Sequence, residues 1–167
     1  YIELTQKMAF LLAQLSKSEI RSINITAEGE ISEYLDSLQT FATVGVLAVS
    51  CGDEVNYVNA NFIAKEKGID LTTSEFSNHS GYQNKVSINI TTPTGVKTIS
   101  GTVFNEDVQR IVEINGFPLD IEPKGKMIIM RNHDVPGVIG EVGKILGNNN
   151  INIADFRLSR GKDGALA

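Results

Sequence analysis

The chain has 167 residues, enough for one or two domains, and at 41% hydrophobic it can bury a core. A formal net charge of −5 disfavours non-specific contact with nucleic acid or acidic membranes. No apolar run approaches the roughly twenty residues of a membrane span, the start lacks a basic n-region and cleavage site, and the single Cys51 excludes an internal disulfide or an all-cysteine metal cluster. These features lead us to expect a cytoplasmic globular protein.

In chain order, Leu4, Met8, Leu11, Leu12 and Leu15 form a helical stripe over residues 2–15, ended by Ser16-Lys17-Ser18. Residues 21–31 alternate as a half-buried strand, with a bulge or bend expected at Glu28-Gly29-Glu30. Residues 33–50 read as a helix, apolar almost all round after Thr40 and therefore deeply buried. Cys51 at its end reads as a small buried hydrophobe, since no cation stands nearby to activate a thiol. A second helix over 59–67 stops at Gly68.

A strand over 70–76 and a polar loop holding His79 and Tyr82 follow. Strands over 85–92, 96–104, 108–114 and 117–121 are joined by Thr92-Pro93-Thr94-Gly95, Asn105-Glu106-Asp107 and Asn115-Gly116. Short turns between alternating strands make an antiparallel meander, most simply one sheet shared with the 21–31 strand and covered on one face by two helices. Pro123-Lys124-Gly125 is a linker.

Residues 127–160 organise what remains. An apolar run over 127–130 predicts a strand, 131–135 a polar turn closing on Pro136-Gly137, and Val138, Ile139, Val142, Ile145 and Leu146 a helix ended by Asn148-Asn149-Asn150. Ile151, Ile153, Phe156 and Leu158 predict another strand, starting at Asn152. Strand, turn, helix, strand is a βαβ unit with an expected right-handed crossover. Pro136 near the first helical position leaves the amides of Gly137, Val138 and Ile139 facing outward, where the helix N-terminus can hold a carboxylate. Asp134 beside it can hold an ammonium. A carboxylate holder next to an ammonium holder is a minimal amino-acid site. On the residues alone, Asp134 serves as well as a plain N-cap, and that reading is the stronger of the two.

Other constellations are weaker. His133 and His79 have no second ligand at metal spacing and read as solvated loop residues. No nucleophile elbow appears. Gly137, Gly140, Gly143 and Gly147 recur every three or four residues within one helix, which marks close packing rather than a dinucleotide turn. No catalytic constellation is self-contained here.

The pattern D-x-P-G-x-I, a helix and N-I-N resembles an ACT domain, a small-molecule sensor attached to many amino-acid enzymes. With GTVFNEDVQRIVEINGFPLDIEPKGKMIIMRNHDVPGVIG running into it, nearly the whole chain resembles the C-terminal regulatory part of long-form bacterial D-3-phosphoglycerate dehydrogenases. The resemblance implies an α+β chain: an antiparallel sheet with helices on one face, then a ferredoxin-like ACT βαβ unit of which only the N-terminal half is expected. It divides the chain into a linker helix from a catalytic part (1–18), an intervening, allosteric substrate-binding-like domain (19–123) and the ACT half (124–167). It implies no catalytic residue and no cofactor here, with NAD held elsewhere in the parent enzyme.

The resemblance also implies that L-serine binds between two ACT units of a homo-oligomer. By position, Asp134 and the amides of Pro136-Gly137-Val138 match one wall and Asn152 the other, while Asn132 occupies a pocket position that varies in type. Some relatives bind an anion through a basic cluster at the I-N-G hairpin. Arg110 fits one basic position, but Phe117, Pro118 and Glu122 stand where bases are needed, so a second anion site is not expected. The alternatives are a region like the β part of iron–sulfur L-serine dehydratase, whose cluster Cys51 alone cannot supply, and a free-standing amino-acid-binding module.

Overall fold

The computed structural model describes residues 1–76, 81–161 and 164–167, so His79, Lys162 and Asp163 lie outside the described residues. Alternating sequences become the faces of a six-stranded sheet: β1 (Ser22–Glu28), β2 (Asp70–Glu75), β3 (Lys85–Thr92), β4 (Gly95–Phe104), β5 (Val108–Ile114) and β6 (Phe117–Ile121), in the order β2-β1-β3-β4-β5-β6. β3 to β6 are the expected meander, β1 lies antiparallel to β3, and β2 is parallel to β1. Register aligns Ala27, Val86, Gly101 and Ile111 in one row, and Ile25, Ile88, Ile99, Ile114 and Phe117 in the next. These rows form the buried face. The opposite face is polar, with Ser87 and Ser100 hydroxyls 2.8 Å apart and Asn89 Nδ2 donating to Asn24 Oδ1 at 3.2 Å.

Three helices cover the apolar face: α1 (Ile2–Leu15), α2 (Leu35–Cys51) and α3 (Ala60–Glu66). Leu4, Met8 and Leu12 of α1 are fully buried in the same core as Ile25 and Ile88. The helix expected as a linker over 1–18 is therefore packed as part of the sheet unit. Two glycines let it sit close. A Cβ at Gly45 of α2 would collide with the Gln6 carbonyl and lie 2.9 Å from Ala9 Cβ; one at Gly101 of β4 would lie 2.5 Å from Met8 Sδ and 3.2 Å from Leu4 Cδ2. The Tyr1 hydroxyl donates to the Asn84 carbonyl and accepts from the Val103 amide, both at 3.0 Å, tying the start of α1 to β3 and β4.

The continuous helical stretch Glu30–Glu54 is long and apolar enough to cross a membrane by length and composition, contrary to the sequence reading. Leu38, Ala42 and residues 43–47 are buried, as in a core helix. The strand expected over 21–31 stops at Glu28 because Gly29, at φ 84°, turns the chain where any Cβ would strike the Gln83 carbonyl. A 3-10 turn, Glu30–Tyr34, then replaces the expected first helical residues. Cys51 is half-buried rather than buried.

Asn115 (φ 50°) and Gly116 (φ 80°) both adopt positive φ, as a type I′ hairpin turn requires. A Cβ at Gly116 would meet nothing within 4 Å, so a substitution there tests backbone strain alone. Gly116→Val is expected to cost about 1–3 kcal/mol. Urea unfolding at the wild-type midpoint would contradict this turn.

The second unit contains β7 (Arg131–Asn132), α4 (Val138–Asn148), β8 (Ser159–Gly161) and β9 (Gly164–Leu166), with β9 between β7 and β8 and antiparallel to both. Sheet pairing begins at Met130, which exchanges amide bonds of 2.8 and 2.9 Å with Ala167. The strand expected over 127–130 is thus displaced to Arg131–Asn132. The strand expected from Asn152 is confined to Ser159–Gly161. In this stretch the residues that pair with β9 are Ser159, Arg160 and Gly161, opposite Leu166, Ala165 and Gly164. The end of α4 follows expectation as a Schellman motif, with Asn150 at φ 57°, its amide on the Gly147 carbonyl at 3.0 Å and the Ile151 amide on that of Leu146 at 2.9 Å.

No residue of α4 is buried, and Ile139, Ile145, Ile151, Ile153, Phe156 and Leu158 are exposed. The glycine spacing in α4 does not mark close packing: a Cβ at Gly140, Gly143 or Gly147 would meet nothing within 4 Å. The two units touch through Phe117 of β6. A Cβ at Gly161 would lie 2.8 Å from its ring, and the Arg131 guanidinium lies 5.8 Å from its centroid.

Candidate functional site

The turn between β7 and α4 is set by local side-chain bonding. Asn132 Oδ1 accepts the Asp134 amide at 2.7 Å, an Asx turn, while Asp134 takes φ 50°, a conformation that aspartate tolerates better than most residues. Pro136 does not occupy the first helical position. α4 begins at Val138, and Gly137 is its N-cap at φ 95°. The Val138 amide turns back to the Val135 carbonyl at 3.5 Å, a long contact. Among the described residues the amides of Gly137 and Ile139 have no backbone acceptor, which keeps the helix head open to an anion.

Asp134 is not alone. Its Oδ2 lies 2.8 Å from Nε of Arg160, on β8, a partner that the sequence reading missed. Local pattern could not show it, because the two residues meet through sheet register. Asn132 and Arg160 both pair with Ala165 of β9, and residues in register share a face of a sheet. The small, fully buried Ala165 leaves room for Arg160 to reach across the row. Asn132 Nδ2 is shielded from solvent and has no hydrogen-bond partner among the described residues. Its orientation is fixed, since Oδ1 must face the Asp134 amide. A buried donor left unpaired costs roughly 1–3 kcal/mol, so this turn gains if a ligand brings an acceptor.

The structure brings Asn132, Asp134, Pro136, Gly137 and Val138 together in one turn and places Asn152 just past α4. Asn152 is exposed and makes no side-chain hydrogen bond among the described residues. His133 is exposed. The turn does not fit a dinucleotide, because α4 follows a two-residue strand of an antiparallel sheet rather than a parallel strand with a glycine-rich turn.

Residues 1–115 match the family described as "D-3-phosphoglycerate dehydrogenase intervening domain", and residues 126–167 match the ACT domain. The chain belongs to the D-3-phosphoglycerate dehydrogenase intervening-domain family. It is 37% identical over its full length to the D-3-phosphoglycerate dehydrogenase of Bacillus subtilis, 32% of which it covers. Over 96% of the chain it is 30% identical to that of Synechocystis, covering 29% of it, and over 98% of the chain it is 29% identical to that of Archaeoglobus fulgidus, covering 31%. The chain thus spans about a third of the length of these relatives, corresponding to their C-terminal region. The ACT match covers the turn just described.

Within the intervening domain, Arg110 is half-buried on β5, with Nε 3.5 Å from Asp120 Oδ1. It borders a groove of about 450 Å³ shared with Lys7, Gln109, Glu122 and Lys124. Lys7 pairs with Glu3 at 2.7 Å and Lys124 with Glu122 at 3.2 Å, so every cation bordering this groove faces a carboxylate. The Lys7 ammonium, and then the Gln109 amide, hold the Glu3 carboxyl below its ordinary range. Phe117, where an anion site would need a base, packs instead against the second unit.

Proposed function

We propose that this chain is the regulatory, L-serine-sensing region of an NAD-dependent D-3-phosphoglycerate dehydrogenase, with NAD and the catalytic groups held by the rest of the parent enzyme. One observation carries the reading: in the ACT unit, an Asx turn holds the Asp134 backbone so that its carboxylate stands beside the open head of α4. Asp134 accepts the ammonium of serine, and the α4 head meets its negative end. Asn152 of a second copy closes the other side, its amide able both to donate and to accept.

The exposed apolar residues of α4 and of 151–158 support pairing of ACT units in a homo-oligomer. We divide the chain accordingly, with the intervening unit including α1 and ending near Ile121, and the ACT unit beginning near Lys126. Serine bridging two copies stabilises the arrangement that it binds more tightly, by no more than that difference in affinity. The Phe117 contact is the route by which this reaches the intervening unit. The iron–sulfur dehydratase and free-standing readings lack support from the relatives named above, which are D-3-phosphoglycerate dehydrogenases by name.

Calorimetry on the full-length gene product tests the reading. Saturable heat with L-serine is expected, and its loss in Asn152→Ala. No heat from the wild type, or undiminished heat from that variant, would overturn it.

A further inference from the structure

We infer that Arg160 is a specificity-determining residue of the amino-acid site: with Asp134 it forms a charge pair that reads the two ends of a zwitterion, Arg160 taking the α-carboxylate. The inference rests on the effector reading above and deepens it. An ordinary surface ion pair would explain the 2.8 Å contact alone, since the Arg160 side chain is 73% exposed. Three further observations point to a ligand.

The first is the geometry of the contact. Arg160 meets Asp134 through Nε and a single oxygen, Oδ2. Among the described residues neither terminal nitrogen of Arg160 has a partner. A guanidinium offers five donors in a planar fork suited to a carboxylate, and here the fork's outer edge stays available while its inner edge holds Asp134. Asp134 Oδ1 likewise has no described partner, so it can take an ammonium without releasing Arg160. An α-amino acid carries its ammonium and carboxylate on one carbon, and that arrangement matches an anion and a cation already held side by side.

The second is rigidity on the anionic side and freedom on the cationic side. Asp134 is fixed by its own amide on Asn132 Oδ1. Arg160 is anchored at the backbone, opposite Ala165, with its side chain in solvent. A carboxylate on a held backbone and a solvent-exposed guanidinium can close on a ligand from two sides.

The third is Asn132. Its solvent-shielded, partnerless Nδ2 stands in the same sheet row as Arg160, on the same face. A ligand whose ends are taken by Asp134 and Arg160 can bring a side-chain hydroxyl to this donor. The three residues together therefore fit a small hydroxylated α-amino acid better than an amine or a simple acid. The α4 head, where Val138 turns back on Val135 while the Gly137 and Ile139 amides have no backbone acceptor among the described residues, becomes a supplementary carboxylate contact.

The test uses calorimetry on the full-length protein with L-serine and with L-serine methyl ester, which keeps the ammonium and hydroxyl but lacks the carboxylate charge. In the wild type the ester should bind about ten- to a hundredfold more weakly than serine, the range for a hydrogen bond to a charged group. Arg160→Gln should weaken serine by a similar factor and leave the ester unchanged, and Arg160→Lys should recover part of the loss. Serine binding unchanged in Arg160→Gln, or serine and ester weakened equally, overturns the inference. Tighter serine binding in Arg160→Gln also overturns it, showing that Arg160 only competes for Asp134. No serine binding by the wild type removes the effector reading itself and this inference with it.

Discussion

Gly45→Val should remove about 3 kcal/mol or more of folding stability, at or above the upper end for overpacking a core. The reason is backbone, not side chain. Gly45 is the point where α2 meets α1, and a Cβ there would collide with the Gln6 carbonyl and press within 3.1 Å of the Phe10 amide. Those atoms belong to the α1 backbone and cannot rotate away, so the helices must part. Parting them loosens Leu4, Met8 and Leu12, which are fully buried over the sheet. With typical domains stable by only about 5–15 kcal/mol, this is a large fraction of the whole. Gly147→Ala supplies the contrast, since a Cβ there meets nothing within 4 Å in α4 and should stabilise that helix by up to about 1 kcal/mol. Denaturant midpoints for both variants check the pair. A Gly45→Val protein unfolding with the wild type would show that α1 and α2 do not meet as described.

Asp134→Asn should weaken L-serine binding by about a hundredfold, the scale of losing a hydrogen bond to a charged group in a partly enclosed site. Asparagine is the informative replacement. It tolerates the φ of 50° that Asp134 adopts and keeps the side-chain shape, so it removes charge without straining the turn. The Asp134 side chain is 33% exposed and that of Arg160 73%, so in the ligand-free state their pairing contributes about 1 kcal/mol or less. Thermal melting should therefore shift little while affinity falls. Calorimetry with melting curves on the same samples checks both halves. Equal serine affinity in the variant would remove Asp134 from the site.

The sheet and its helices were legible because their signals are local. Alternation marked β3 and its neighbours, Asn115-Gly116 marked a hairpin that has the positive φ angles that pair favours, and Gly68 ended α3 as expected. What sequence could not show is where pairing stops. The apolar alternation over 151–158 looks like a strand, yet of this region β9 pairs with Ser159–Gly161, and alternation in a sequence does not show which of its residues find a partner strand. Likewise the resemblance suggested α1 as a linker helix from a catalytic part, and its periodicity showed a buried face but not that the core of the sheet unit buries it. In the site, Asn132 and Asp134 were readable as a turn near a helix start. Arg160 was not, since it enters through the register of two strands on a shared neighbour, Ala165. Glycines spaced along α4 suggested close packing, but spacing does not reveal whether anything lies opposite them, and nothing does within 4 Å.

The most direct measurement mixes two defective proteins. Asp134→Asn and Asn152→Ala copies of the full-length protein are prepared separately, each expected to lose serine binding, then exchanged into mixed dimers and titrated with L-serine. If each site takes one wall from each copy, a mixed dimer holds one intact site and one doubly broken site, so random exchange restores about a quarter of the wild-type sites at wild-type affinity. If Asp134 and Asn152 act within one chain, or serine binds elsewhere, the mixture binds no more than its two components do apart.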